Sequence, residues 1–250
     1  MGPVDALVRR LTEFGYLKID GLIGRERAEL VEGVVKQAML DCVPFSGPEV
    51  RIRGLLNNLS QPSAGLVEEL LLNPVLLAIS DQVLGPDCRL AEVGARLIRP
   101  GAPGLPLHVG APADRWVSIT GPITATCLVL TFSWVLSDIT LENGVRFFAP
   151  FSHHYGHGPR SDTGDESLVC LTAEAGSLIM FNSAVWHGFG PSAPDSTDRL
   201  EIASAYCVPW IDPNEIGWNL IDPHRLRLLS PEIQHRQTGR RNSSPTAFSP

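Results

Sequence analysis

The chain has 250 residues, of which 27 are Asp or Glu and 20 are Lys or Arg, for a formal net charge of -7. That length suits one large domain with a sizeable core. The acidic balance, with no basic block, argues against a nucleic-acid polymer or an anionic membrane as partner, because both are held by counterion release. No stretch approaches the roughly 18 consecutive apolar residues of a spanning helix. The N-terminal MGPVDALVRRLTEF lacks the apolar core of a secretory signal. Cys42, Cys88, Cys127, Cys170 and Cys207 are odd in number and widely spaced. They are poor material for a disulfide framework or a zinc site, and a reducing cytoplasm is expected.

The first part of the chain, to about residue 88, reads mainly as helix. Val4 to Phe14 places Leu7, Val8 and Leu11 at helical spacing, and Arg25 to Leu40 repeats the pattern with Leu30, Val31, Val34 and Val35. Between them, Gly15 to Gly21 alternates apolar and polar residues between two glycines, as a short strand does. Leu66 to Leu72 and Pro74 to Leu84 are two further helices, the second stopped by Gly85-Pro86.

From residue 89 to about 212 the period falls to two. Arg89 to Ile98, Cys127 to Leu136, Val145 to Phe148, Ser167 to Leu171, Ser177 to Phe181 and Leu200 to Val208 are strand-like, with Pro-Gly, Asn-Gly and Ala-Gly turns among them. Several short strands after a helical preface predict a β-sandwich or jelly roll with helices packed outside. The domain is expected to cover 1–235, with 236–250 as a flexible tail lacking apolar periodicity.

Three polar residues sit oddly among the strands. His108 follows the loop PGAPGLP, His187 ends the run Leu178 to Trp186, and Arg199 opens the last strand twelve residues after His187. In addition, Gly15-Tyr16 to Gly21, Glu142-Asn143-Gly144 leading to Pro150-Phe-Ser-His153, Gly176 to Phe181, and Trp186-His187-Gly188 followed by Arg199 occur in that order. Together these motifs resemble the phytanoyl-CoA dioxygenase family over roughly residues 14 to 212. The resemblance implies a double-stranded β-helix (jelly roll, cupin-like) with N-terminal helices, agreeing with the strand count. It also implies an oxidoreductase using Fe(II), 2-oxoglutarate and O2. Such sites hold iron on two histidines and a carboxylate, with open positions for the co-substrates. Carried over, His108 and His187 are the metal ligands and Arg199 pairs with the far carboxylate of 2-oxoglutarate, with Arg96 assisting.

The chain departs from the family at the third ligand, where Gly110 stands in place of a carboxylate. Relatives with this change resemble halogenases, in which chloride takes the vacant position and 2-oxoglutarate decarboxylates to succinate. A hydrogen atom then leaves an aliphatic carbon, and the carbon radical collects chloride. Two other readings stay open. The enzyme is a hydroxylase or another oxidising member of the family, or Gly110 is there for a positive φ and the chain is a non-catalytic binder. Asp114, six residues past His108, is a conceivable substitute ligand, though at the wrong spacing; with Arg115 it more simply lines the loop or faces solvent.

Around this centre, His153 is read as shaping the cavity rim, and His154 and His157 as solvated loop residues. Trp116, Trp134, Phe132, Phe148 and Trp186 are candidates to wall the substrate cavity, against the plainer reading of core packing. Arg51 and Arg53, near Asn57 and Asn58, belong to the region expected to cover the barrel mouth. Arginine suits phosphate and asparagine a purine edge. No carrier-protein docking surface is discernible. The leading substrate is a freestanding nucleotide such as 2'-deoxyadenosine monophosphate, in antibiotic biosynthesis, with an amino acid or hydrophobic natural product as alternatives.

Overall fold

The computed structural model describes residues 2–42, 47–110, 127–160, 167–214 and 221–239. Four helices precede or interrupt the first strands: α1 (Pro3–Phe14), α2 (Arg25–Cys42), α3 (Gln61–Leu71) and α4 (Pro74–Leu84). The strands are β1 (Tyr16–Ile19), β2 (Glu49–Arg53), β3 (Arg89–Ile98), β4 (Leu105–His108), β5 (Val129–Val135), β6 (Arg146–Ala149), β7 (Val169–Leu171), β8 (Leu178–Asn182), β9 (Trp186–Phe189) and β10 (Arg199–Cys207). A short α5 (Pro223–Leu226) and α6 (Pro231–Thr238) follow.

The strands form two antiparallel sheets, a large one ordered β1-β8-β5-β10-β3-β2 and a small one ordered β4-β9-β6-β7. This is the expected double-stranded β-helix with flanking helices. The large sheet sorts its side chains by period two. Leu130, Phe132 and Trp134 of β5, Leu200 and Ile202 of β10, and Val50 and Ile52 of β2 join Val31, Val35, Leu70 and Ile79 of the helices in one apolar core. Each large side chain fully buried there contributes about 1.5–3 kcal/mol. A second apolar cluster, with Tyr16, Phe148, Ile179 and Phe181, plugs one end of the space between the sheets.

Several boundaries differ from expectation for identifiable reasons. Helix α3 begins five residues early, because the Ser60 hydroxyl accepts the Ser63 N–H and Pro62 lies in the first turn. The run Leu178 to Trp186 is two strands, because the Val185 N–H turns back to the Asn182 carbonyl at 2.9 Å. His187 is therefore the second residue of β9, not the end of β8. Strand β2 lies in the stretch expected to be mainly helical, its Val50 and Ile52 buried and its charged residues facing away. The expected tail starts too early. Helix α6 runs to Thr238, with Arg236 bonded to Asp81 at 3.1 Å and Gln237 to the Leu90 carbonyl at 2.7 Å. The rest of that tail, residues 240–250, lies outside the described residues. Among the described residues no single helix is long and apolar enough to cross a membrane. All five cysteines are free thiols.

Gly15 closes α1 in the left-handed conformation, with φ of 84°, and a Cβ there would stand 2.6 Å from His153 Nδ1. Replacing Gly15 by Ala combines backbone strain with a clash, so it is expected to cost roughly 1–3 kcal/mol. A lower urea midpoint with an unchanged slope would bear this out; equal midpoints would contradict it.

Candidate active site

Strands β4 and β9 pair with His108 directly opposite His187, and the two ring centroids are 4.4 Å apart. Each ring is oriented by its own backbone. His108 Nδ1 meets the Pro106 carbonyl at 3.0 Å, and His187 Nδ1 meets the Val185 carbonyl at 2.8 Å. An Nδ1–H donor leaves Nε2 as the acceptor nitrogen, the arrangement of a metal-binding imidazole. Burial lowers the pKa of both, that of His187 well below the usual range, with the neighbouring ring adding to the effect. Both are therefore neutral near pH 7 and able to donate a lone pair. Gly188 is required beside them, because a Cβ there would collide with the Leu105 carbonyl and the Phe147 ring.

Gly110 lies two residues past His108, and its N–H donates to the Ser183 carbonyl at 2.7 Å. It is not among the glycines of positive φ, which removes the conformational explanation for a glycine here. A Cβ at this position would lie 3.5 Å from His187 Cε1, the carbon bonded to the acceptor nitrogen, and 3.4 Å from Ser183 Cβ. A side chain at 110 would thus start in van der Waals contact with Ser183 and the His187 ring. Among the described residues, no group of three or more His, Cys, Asp or Glu is arranged to hold a metal ion. Asp114, Arg115 and Trp116 lie outside the described residues.

The histidines open onto a cavity of about 300 Å³ between the sheets, lined also by Arg51, Arg53, Arg96, Arg146, Thr131 and Ser133. Its charges are paired in an ordered way. Arg146 clamps Glu201, with its Nε 3.2 Å from Oε2 and its Nη2 against Oε1, and it also reaches Ser133 Oγ at 3.2 Å. Glu201 is fully buried. Burial would raise its pKa, yet Arg146, Arg199 and Arg96 outweigh that and hold it at about 2. Arg53 Nε and Arg51 Nη2 share one oxygen of Glu92, at 2.9 and 3.1 Å. Arg96 contacts Glu49 at 3.3 Å without hydrogen-bond geometry and lies over the Phe189 ring.

Arg199 is fully buried behind this wall instead of on its surface. Its Nη1 donates to the Gly144 carbonyl, and the guanidinium lies against Phe189. Its Nη2 is 3.8 Å from Glu201, too far for a hydrogen bond, and neither Nε nor Nη2 has a hydrogen-bond partner among the described residues. Burial brings its pKa down to about 10, so it remains a cation at neutral pH. Two unsatisfied donors on a buried guanidinium fit an anionic ligand such as the carboxylate of 2-oxoglutarate. Two free imidazole acceptors likewise fit an iron ion with open positions.

Other expected site residues lie elsewhere. Trp134 and Phe132 point into the helix-covered core, because Thr131 and Ser133 take the cavity face of β5. His153 is buried against the Thr12 carbonyl at 3.0 Å and anchors α1, away from the cavity wall. Asn57 accepts the Asp222 N–H at 2.9 Å, and Asn58 reaches back to the Gly54 carbonyl. Neither asparagine meets the cavity. Phe148 and Trp186 are buried, Phe148 in the apolar plug and Trp186 donating its indole N–H to the His157 carbonyl at 2.8 Å. The residues missed are Arg146, Glu201, Glu92 and the Thr131 and Ser133 hydroxyls. For Glu201, Glu92, Thr131 and Ser133 the signal was alternation, since each shares strand parity with a cavity residue or with Arg199; Arg146 had no such signal.

Residues 52–197 match the family model for phytanoyl-CoA dioxygenase. Dioxygenase af480 of Aspergillus fumigatus is 26% identical over 168 residues, covering 66% of this chain and 52% of that protein. The chain thus spans about half the length of that relative. Among solved structures, HygX from Streptomyces hygroscopicus with nickel and 2-oxoglutarate bound is similar with a TM-score of 0.65 at 22% identity, covering 82% of this chain and 86% of HygX. The non-heme alpha ketoglutarate dependent epimerase SnoN from nogalamycin biosynthesis has a TM-score of 0.64 at 19% identity, covering 82% and 83%.

The carboxylate of Glu201 offers a check on the site's electrostatics. Its pKa falls from an ordinary 4.5 to about 2 in the fold, so its stabilising contribution is complete above pH 4.5 and is lost as pH falls toward 2. Glu201→Gln should cost about 3–5 kcal/mol at pH 7 by stranding Arg146. It should also flatten the acid limb of the stability profile. Guanidinium denaturation at a series of pH values reads both, and a variant keeping the wild-type acid limb would contradict the pairing.

Proposed function

The chain belongs to the phytanoyl-CoA dioxygenase family of iron- and 2-oxoglutarate-dependent enzymes, and from that premise we propose that it halogenates an unactivated aliphatic carbon of a freestanding small molecule. The observation carrying the proposal is Gly110. Its backbone needs no glycine, and a side chain there would begin beside the His187 ring. Chloride in that space would keep on the metal the negative charge that a carboxylate otherwise brings.

The residues divide the work. His108 and His187 supply two neutral nitrogen donors on opposed strands. Iron with 2-oxoglutarate and dioxygen supplies an oxidant strong enough to take hydrogen from an aliphatic carbon. Arg199, whose Nε and Nη2 make no hydrogen bond among the described residues, holds the far carboxylate of 2-oxoglutarate, while Arg146 and Arg96 add positive charge at the wall. Phe148 and Phe181, packed against the His187 ring, keep water from the metal face. Product choice then depends on where the substrate carbon is held relative to the halide.

The substrate is an anion. At the cavity wall and directly behind it, Arg51, Arg53, Arg96, Arg146 and Arg199 outnumber Glu49, Glu92 and Glu201, a surplus of positive charge. Two arginines sharing the single Glu92 oxygen leave guanidinium N–H groups for a phosphate or carboxylate. A nucleoside monophosphate in antibiotic biosynthesis remains the specific proposal, with the phosphate on Arg51 and Arg53. Asn57 plays no part in reading the base.

Anaerobic loading with Fe(II), 2-oxoglutarate and chloride, followed by oxygen and a panel of anionic small molecules, tests the reaction by mass spectrometry. The expected product carries the isotope pattern of one chlorine. A gain of oxygen alone would establish hydroxylation instead, and no binding of iron or 2-oxoglutarate a ligand-binding protein. Gly110→Asp should abolish chlorination and permit hydroxylation, whereas persistent chlorination would remove the halide from that position. Arg51→Ala and Arg53→Ala should each weaken a phosphorylated substrate by about 1–3 kcal/mol. Equal affinity for nucleoside and nucleotide by calorimetry would end the phosphate assignment.

A further inference from the structure

A pair of hydroxyls beside Gly110 takes no part in the functions assigned above. Ser183 occupies the turn between β8 and β9 and is held on every side. Its N–H donates to the Val129 carbonyl at 3.0 Å, and its carbonyl accepts the Gly110 N–H at 2.7 Å. Its side-chain oxygen is 2.6 Å from Thr131 Oγ1, and Thr131 lines the cavity. The Ser183 Cβ would be the nearest atom to a Cβ at position 110, at 3.4 Å. Ser183 therefore borders the space that a side chain at this position would enter, and its partner Thr131 lines the same cavity as Gly110.

Counting protons sharpens the point. Ser and Thr hydroxyls each carry one donor. One of the two is used in the Ser183–Thr131 hydrogen bond, and either oxygen can be the donor. The second has no acceptor among the described residues. Thr131 is half-buried on the cavity wall and Ser183 is buried behind it, so the remaining proton is available to an anion bound beside Gly110. A hydroxyl also suits a halide, because it donates a hydrogen bond without adding a charge to compete with the metal.

We propose that the Ser183–Thr131 pair donates a hydrogen bond to the anion occupying the space beside Gly110, and so positions the halide and sets its affinity. This rests on the halogenase reading of Gly110. The pair positions the anion from the protein side and takes no part in bond making.

The test is an anaerobic titration of chloride into the protein loaded with Fe(II) and 2-oxoglutarate, following the visible charge-transfer band of that complex, with no turnover. Thr131→Val, a near-isosteric change, and Ser183→Ala should each raise the chloride Kd by about tenfold to a hundredfold, the loss of one hydrogen bond to a charged partner. The Kd for 2-oxoglutarate should stay unchanged, and Thr131→Ser should restore chloride binding. If Ser183→Ala does not fold, Thr131→Val carries the test alone. A wild-type chloride Kd in the folded variants would overturn the hydroxyl assignment and leave the halide reading standing. No chloride response in the wild-type protein would overturn the halide reading itself, and this inference with it.

Discussion

Arg146 and Arg199 can stand buried behind the cavity, with Arg96 beside them, only because Glu201 neutralises part of their charge. A buried guanidinium without a counter-charge costs several kcal/mol even after relaxation. Glu201 takes a two-pronged bond from Arg146 and lies within reach of the field of Arg199 and Arg96. This arrangement keeps polar the space that would otherwise collapse into an apolar sandwich core. Small side chains, Ala203 and Ala205, keep it open on the same strand. Cavity, charge and histidine pair are thus one consequence of the residues on the inner face of the large sheet and the facing strands β4 and β9.

The same inner face separates the jobs of neighbouring residues. On β5, Thr131 and Ser133 face the cavity while Phe132 and Trp134 lock the sheet to the helices. On β10, Arg199 and Glu201 point inward while Leu200 and Ile202 join the outer core. A one-residue slip would exchange the two sets and bury arginine against leucine. Register is therefore enforced by polarity as well as by packing. The opposition of His108 and His187 inherits its accuracy from that register.

Much of this was legible in the residues. Period-two patterning gave most strands within a residue or two, and the order of His108, His187 and Arg199 identified the family. Helix α6 and strand β2 were missed because each is short and its apolar signal is weak. Its counterpart in the site is Arg146, which stands in no motif and matters only because Glu201 meets it across the sandwich. The opposite error concerned aromatics and asparagines. Trp134, His153 and Asn57 have chemistry suited to a binding site, yet parity and capping assigned them to the core, to the anchoring of α1 and to the C-terminal segment.

The sequence alone determined the acidic balance, the two-layer β architecture, the two histidines and the absence of a carboxylate at position 110, because these follow from composition, period and identity. Tertiary structure alone decided what surrounds that position. Only the folded chain shows that Gly110 has an ordinary backbone conformation and that its open side abuts His187 and Ser183. Those neighbours lie more than seventy residues away along the chain. Their contact is set by the pairing of strands, which no local pattern records.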